Sequence, residues 1–184
     1  MENKVKLQDK TFKPYIPNQD IEKAIDEVAA QMNRDFADVT DVDPIIMLCT
    51  LNGAVIFAAE LLKRINFPVV FVAMKFSSYA GTQSTGMVKA EIPAGIPNLA
   101  GKKVIVVEDI VDTGNTIIAI SNMLGNMGVD KMYVASLLLK PDVYKGQVKL
   151  DYVAIRIPNR FIVGFGLDYN ELGRNLKDIY VLDK

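Results

Sequence analysis

The stretch Val104-Ile105-Val106-Val107-Glu108-Asp109-Ile110-Val111-Asp112-Thr113-Gly114-Asn115-Thr116 decides the fold and locates the chemistry. Residues 104–107 form a short, continuous, β-branched run, the pattern of a strand buried on both faces of a parallel sheet. That run ends in two adjacent acids, and a third acid follows at Asp112. After Thr113-Gly114, apolar residues at Ile117, Ile118, Ile120, Met123, Leu124 and Met127 predict a helix. Strand, acidic turn and hydroxyl-and-glycine loop at a helix start make one compact device. Its carboxylates suit a cation or sugar hydroxyls, and the free N–H groups of the helix start suit a phosphate.

The same alternation extends outward. Ile21, Ala24, Ile25, Val28, Ala29 and Met32 recur at helical spacing and predict an amphipathic first helix, with Asn18 or Asp20 as its cap. Residues 44–49 predict a strand, 50–53 a turn, 54–64 a helix and 69–75 a second strand. Further strands are expected at 131–139 and 152–157, and a short last one at 161–165. Strands alternating with helices imply right-handed crossovers and an α/β fold, a mainly parallel twisted sheet flanked by helices. Ligands on such sheets bind beyond the carboxyl ends of the strands. The acids after Val107 and the turn after Cys49 both belong to that edge. Residues 76–87 are polar, small and longer than an ordinary connection, which fits either a lid or a plain surface loop.

Composition narrows the chemistry. With 184 residues the chain is one domain with room for a substantial core. Charges nearly cancel, 21 Lys and Arg against 22 Asp and Glu, so neither nucleic acid nor a membrane surface is an expected partner. The single cysteine, Cys49, lies in an apolar run and is expected to be an inert buried thiol in a cytoplasmic protein. There is no signal-peptide pattern and no run long enough to span a bilayer. There are no histidines, which removes Ser-His-Asp triads and His-rich zinc sites. Any metal must then be a hard cation on oxygen ligands, with Mg²⁺ the expected one. Proton transfer falls to a carboxylate, a lysine or a tyrosine.

Three other segments carry functional types. Leu51-Asn52-Gly53 is a polar turn between a strand and a helix, and Leu137-Leu138-Leu139-Lys140 ends a buried strand in a lysine. Residues 157–171 run Ile-Pro-Asn-Arg-Phe-Ile-Val-Gly-Phe-Gly-Leu-Asp-Tyr-Asn-Glu. The Gly164-Phe165-Gly166 start fails the dinucleotide fingerprint because Tyr169 stands at the third glycine position. Tyr144, Lys145 and the acids Asp38, Asp41 and Asp43 suggest no function; the acidic trio lacks calcium-loop spacing and reads as a solvated turn.

Residues 104–116 closely resemble the phosphoribosyl-diphosphate motif of the type I phosphoribosyltransferases. From about residue 44 to 176 the chain is similar to the 6-oxopurine salvage branch of that family. The resemblance implies transfer of phosphoribosyl from 5-phospho-α-D-ribosyl 1-diphosphate to hypoxanthine, with guanine a further acceptor, in a Mg²⁺-dependent reaction. It implies that Glu108 and Asp109 address the ribose hydroxyls directly or through Mg²⁺. Thr113, Gly114, Asn115 and Thr116 would cradle the 5′-phosphate, and Asp112 would serve as general base at purine N7. Leu51, Asn52 and Gly53 would form the diphosphate loop, with Arg174 contacting diphosphate. Lys140 would donate to O6, Phe161 would stack on the base, the backbone at Ile162 would read its 2-position edge, and Asp168 would bind a second Mg²⁺. Ser78-Tyr79 matches a loop that covers the transition state.

Two positions depart from the family pattern. Asn52 and Asn115 stand where relatives commonly carry basic residues, which shifts anion binding toward amide and backbone N–H donors. The resemblance further implies a small hood, made by the N-terminal residues and the segment from about Lys140 to Lys184, and a homodimeric or homotetrameric assembly. Xanthine or another base is the rival acceptor. The rival of a different class is a phosphoribosyltransferase-fold regulator that binds the sugar phosphate without turnover.

Overall fold

Parallel strands must be covered on both faces, and the apolar runs of this chain supply that cover. The computed structural model describes residues 4–78, 88–91 and 96–183. In chain order the elements are β1 (Val5–Leu7), β2 (Lys10–Ile16), α1 (Asn18–Asp35), β3 (Ile45–Leu51), α2 (Val55–Leu62), β4 (Val69–Ser78) and β5 (Val88–Glu91). They continue with β6 (Lys103–Val111), α3 (Asn115–Asn126), β7 (Lys131–Leu139), β8 (Tyr152–Arg156), β9 (Ile162–Val163) and β10 (Ile179–Leu182).

The main sheet has the order β5-β4-β3-β6-β7-β8. Strands β4, β3, β6, β7 and β8 are parallel, and β5 joins β4 antiparallel at the edge. Alternate residues of β3 divide between two cores: Ile45, Met47 and Cys49 pack with α1 and α2, while Ile46 and Leu48 pack with α3. Helix α1 buries Ile21, Ile25, Val28, Ala29 and Met32 on one stripe. Each such fully buried aliphatic side chain contributes about 1.5–3 kcal/mol of transfer free energy. No helix among the described residues is long and apolar enough to cross a membrane.

The strand order places the site. From β3 the chain moves outward to β4 and β5; from β6 it moves the other way, to β7 and β8. The order therefore reverses between β3 and β6, and a crevice opens at their carboxyl ends. Leu51 ends one of these strands and Val111 the other.

A second, antiparallel sheet, β1-β2-β10-β9, joins the two ends of the chain. The hydrophobic pattern did not reveal β1, β2, β5 or β10. In β2, for example, Lys10, Lys13 and Pro14 interrupt the apolar residues, and its partner β10 lies at the far end of the chain.

Several boundaries differ from expectation: β3 runs on through Leu51 where a turn was expected from residue 50, α2 is shorter at both ends, and β9 covers only Ile162–Val163. Strand β6 does not stop at Val107 but carries Glu108 and Asp109 within it, because β7 continues alongside, pairing Glu108 with Ser136 and Val111 with Leu139. Strand β4 runs on through Ser78, so the polar loop begins later than predicted. Neither Asn18 nor Asp20 caps α1: Pro17 holds the cap position without a side-chain bond. Asp178 instead accepts the Asn18 N–H at 2.7 Å, so a carboxylate from the other end of the chain does the capping.

Candidate active site

The two acids of β6 lie on opposite sides of the strand and are held differently. Glu108 is buried, and its carboxylate is bonded to the hydroxyl of Thr50 on the neighbouring β3. The same hydroxyl lies 3.0 Å from the Val107 carbonyl. Burial first, then repulsion from Asp109, pushes the Glu108 carboxyl above its ordinary range, with the Thr50 bond opposing. Asp109 is half-buried and accepts the Ile110 N–H at 2.8 Å. Burial raises its carboxyl too, against the Ile110 bond and the charge of Arg174.

Close packing of backbone brings the diphosphate-loop candidates onto these acids. The Leu51–Asn52 peptide is cis. A Cβ placed on Gly53 would lie 1.6 Å from Asp109 Oδ2, so Asp109 occupies the space a side chain would need. A Cβ on Gly166 would lie 2.1 Å from the Gly53 carbonyl oxygen. Gly53 does not have a positive φ; its role is space. Residues 51–53, 108–109 and 164–166, far apart in sequence, thus meet through two glycines. Asn52 is exposed.

Beyond β6 the chain turns into α3 through Gly114, which has φ 86° and no side-chain hydrogen bond at the helix start. A left-handed residue there is the reason for glycine, and the first-turn N–H groups of α3 are left for an anion. A cavity of about 80 Å³ is lined by Glu108, Asp112, Thr113, Gly114, Asn115 and Thr116. The lining includes the residues that the resemblance assigns to the 5′-phosphate, and Glu108 forms part of the wall.

Strand register brings two of the base-side candidates, Asp112 and Lys140, together. Pairing of Val111 with Leu139 puts the next residues of β6 and β7 side by side. Lys140 Nζ lies 2.6 Å from Asp112 Oδ2 and 3.1 Å from Asn159 Oδ1. Lys140 is buried while Asp112 is half-exposed, so the ammonium is fixed and the carboxylate reaches the crevice. Phe161 is 45 % exposed, although it lies against Phe12 (ring centroids 6.0 Å) and Tyr169 (5.8 Å, edge-on). An aromatic with supporting rings and an open face is suited to stacking. It opens on a cavity of about 430 Å³ that it shares with Lys13, Asn159 and Arg160. Ile162 is buried in β9, opposite Val181.

Asp168 and Arg174 are paired. Arg174 Nη2 lies 2.8 Å from Asp168 Oδ1 and 2.9 Å from Glu171 Oε2, and its Nη1 donates to the Gly166 carbonyl at 2.9 Å. The second oxygen of Asp168 accepts the Glu171 N–H at 2.8 Å. Ser78 ends β4, and Tyr79 lies outside the described residues.

Donor chemistry bears on a metal. Among the described residues no group of three or more His, Cys, Asp or Glu converges into a closed cage. No Lys or Arg forms a salt bridge with Glu108 or Asp109 among those residues; the nearby cations are committed to Asp112 and Asp168. Two adjacent carboxylates, one buried and one half-buried and neither in a salt bridge among the described residues, fit Mg²⁺, which takes one or two carboxylates and completes its shell with water and substrate phosphates.

Four participants were not read from the sequence: Thr50 on Glu108, Asn159 on Lys140, and Phe12 and Tyr169 behind Phe161. Only Thr50, a polar residue next to the end of an apolar strand, left a local signal.

Comparison with known proteins bears on the chain as a whole. The profile of the phosphoribosyl transferase domain matches residues 14–170. A hypoxanthine-guanine phosphoribosyltransferase from Staphylococcus epidermidis is 38 % identical over 170 residues, 91 % of each chain. Among solved structures, a hypoxanthine phosphoribosyltransferase from Staphylococcus aureus superposes with a TM-score of 0.83 at 34 % identity, covering 93 % of this chain and 91 % of that one. The Trypanosoma cruzi hypoxanthine phosphoribosyl transferase gives 0.86 at 30 %, covering 97 % and 95 %. Sequence and architecture coincide over nearly the whole length, and this chain belongs to the phosphoribosyltransferase family.

Proposed function

We propose that this enzyme transfers the 5-phosphoribosyl group from 5-phospho-α-D-ribosyl 1-diphosphate to N9 of hypoxanthine or guanine, giving IMP or GMP and diphosphate in cytoplasmic purine salvage. The observation that carries the acceptor is the 2.6 Å pair of Lys140 Nζ and Asp112 Oδ2. A 6-oxopurine presents O6 and N7 side by side on one edge. An ammonium donates to O6, and the adjacent carboxylate accepts from N7–H. Adenine turns an amino group toward Lys140, leaving two donors face to face; an unsatisfied group of this kind costs about 1–3 kcal/mol, more when charged.

Bond formation at N9 makes N7–H acidic, and Asp112 takes that proton. Phe161 stacks on the base, and the backbone at Ile162 reads its 2-position edge. Positive charge develops on the ribose in the transition state, where the carboxylates of Glu108 and Asp109 stabilise it. Residues 51–53 and Arg174 take the diphosphate, and residues 113–116 the 5′-phosphate. Glu108 and Asp109, with Asp168 for a second ion, would hold Mg²⁺, which when bound offsets charge on the departing diphosphate. The β1-β2-β10-β9 sheet serves as the hood of a single domain. A homodimer or homotetramer is the assembly proposed from the family resemblance.

The test is diphosphate release from the sugar donor with Mg²⁺ and each of hypoxanthine, guanine, xanthine and adenine. Turnover with the first two and not with adenine is expected, and Lys140→Met should erase the discrimination. Donor binding with silence for every base would refute the enzyme and favour a sugar-phosphate-binding regulator.

A further inference from the structure

Tyr144, in the connection after β7, belongs to none of the roles above, yet it lies directly on the phosphate loop. Its ring carbons Cε2 and Cδ2 are 2.4 and 2.8 Å from where a Cβ on Gly114 would stand, and Gln147 Oε1 is 3.6 Å from the same point. The ring is held at both ends. Its backbone N–H donates to the Lys140 carbonyl at 3.0 Å, beside the parallel bond from Val143 at 3.1 Å. Its hydroxyl donates to the Val148 carbonyl and accepts the Val148 N–H at 2.9 Å. Lys140 is itself tied back to β6, its N–H donating to the Val111 carbonyl at 3.0 Å.

We infer that Tyr144 is a positioning residue that locks Gly114 in its left-handed conformation and so presets the α3 N–H groups for the 5′-phosphate. The inference rests on the proposed reading of residues 113–116 as the phosphate cradle. Glycine populates positive and negative φ with similar ease, so an uncovered Gly114 would sample orientations that aim the helix start away from the anion. A ring that fills the space beside its Cα restricts that freedom in the free protein. Ordering one backbone residue on binding would otherwise cost a factor of about 5–30 in affinity. The same connection springs from the Lys140 carbonyl, so the base-reading lysine and the phosphate loop share one short backbone segment.

The readout is the affinity ratio of IMP to inosine, measured by calorimetry on wild type, Tyr144→Phe and Tyr144→Ala, since that ratio isolates the phosphate. We expect Tyr144→Ala to lower the ratio about tenfold and to raise KM for the sugar donor similarly, with the Kd of inosine within twofold of wild type. Tyr144→Phe keeps the ring but loses both Val148 bonds, and should lower the ratio about threefold. It supplies the answer if the alanine variant does not fold. An unchanged ratio in the folded variants, or equal weakening of IMP and inosine, overturns the inference while leaving the reading of the cradle intact. A wild-type protein that binds inosine and IMP equally overturns that reading itself, and the role of Tyr144 with it.

Discussion

Replacing Gly53 by alanine tests how the diphosphate loop and the ribose acids are assembled. The added methyl would stand 1.6 Å from Asp109 Oδ2 and 2.5 Å from its Cγ, against about 3.4 Å for an ordinary contact. Something must move by about 1.8 Å. The loop cannot retreat, because the Gly53 carbonyl already fills the space that a Cβ on Gly166 would take, 2.1 Å away. The Asp109 carboxylate must therefore swing out and give up its 2.8 Å bond from the Ile110 N–H. A reacting-site group displaced by about 1 Å costs on the order of 100-fold in rate. The expected result for Gly53→Ala is thus a fall of about 100-fold or more in kcat/KM for the sugar donor, near 2.7 kcal/mol of transition-state stabilisation. Stability should fall by only about 1 kcal/mol, the worth of one hydrogen bond. Initial rates of diphosphate release, with urea unfolding as control, measure both. The decisive comparison is the double-mutant cycle with Asp109→Ala: if the methyl acts through Asp109, it adds little once that carboxylate is gone. Gly53→Ala activity within threefold of wild type, or an undiminished loss in the Asp109→Ala background, would refute the reasoning.

Asp112→Asn keeps the size of the side chain and removes the base, so kcat should drop about 10²- to 10⁴-fold with KM for the donor nearly unchanged; wild-type-like turnover in single-turnover assays would remove Asp112 from proton transfer. Thr50→Val leaves the Glu108 carboxylate and the Val107 carbonyl without their buried hydroxyl partner. It should destabilise by about 1–3 kcal/mol in urea titrations and raise KM for the donor, with Thr50→Ser recovering most of both; equal behaviour of the two variants would show the hydroxyl to be irrelevant. The Cys49 thiol is pushed up to about 12, by burial first and then by the charges of Glu108 and Asp109. Because its folded value is raised, it stays protonated at pH 8, and mass spectrometry after iodoacetamide treatment should show modification only in denaturant. Rapid alkylation of the native protein would contradict that burial.

Elements with a single dominant period were legible in the sequence. Strand β7 spans residues 131–139 as predicted, because a run that is apolar from Met132 to Leu139 except at Ser136 is a local property that a parallel sheet then buries on both faces. Strands β2 and β10 were not, since β2 mixes Lys10, Thr11, Lys13 and Pro14 among its apolar residues and its pairing partner lies at the other end of the chain. The turn at Gly53 was visible, but its reason, room for the Asp109 carboxylate, exists only in three dimensions.

By itself the sequence determined which chemical groups follow the buried apolar runs, acids and hydroxyls after one and a lysine after another, because residue type and hydrophobic period are local. Tertiary structure decided which of them meet. Lys140 reaches Asp112 because β6 and β7 pair Val111 with Leu139, and Thr50 reaches Glu108 because β3 lies beside β6 at the point where the strand order reverses. Distances of this kind follow from register and strand order, and neither is encoded in any one segment.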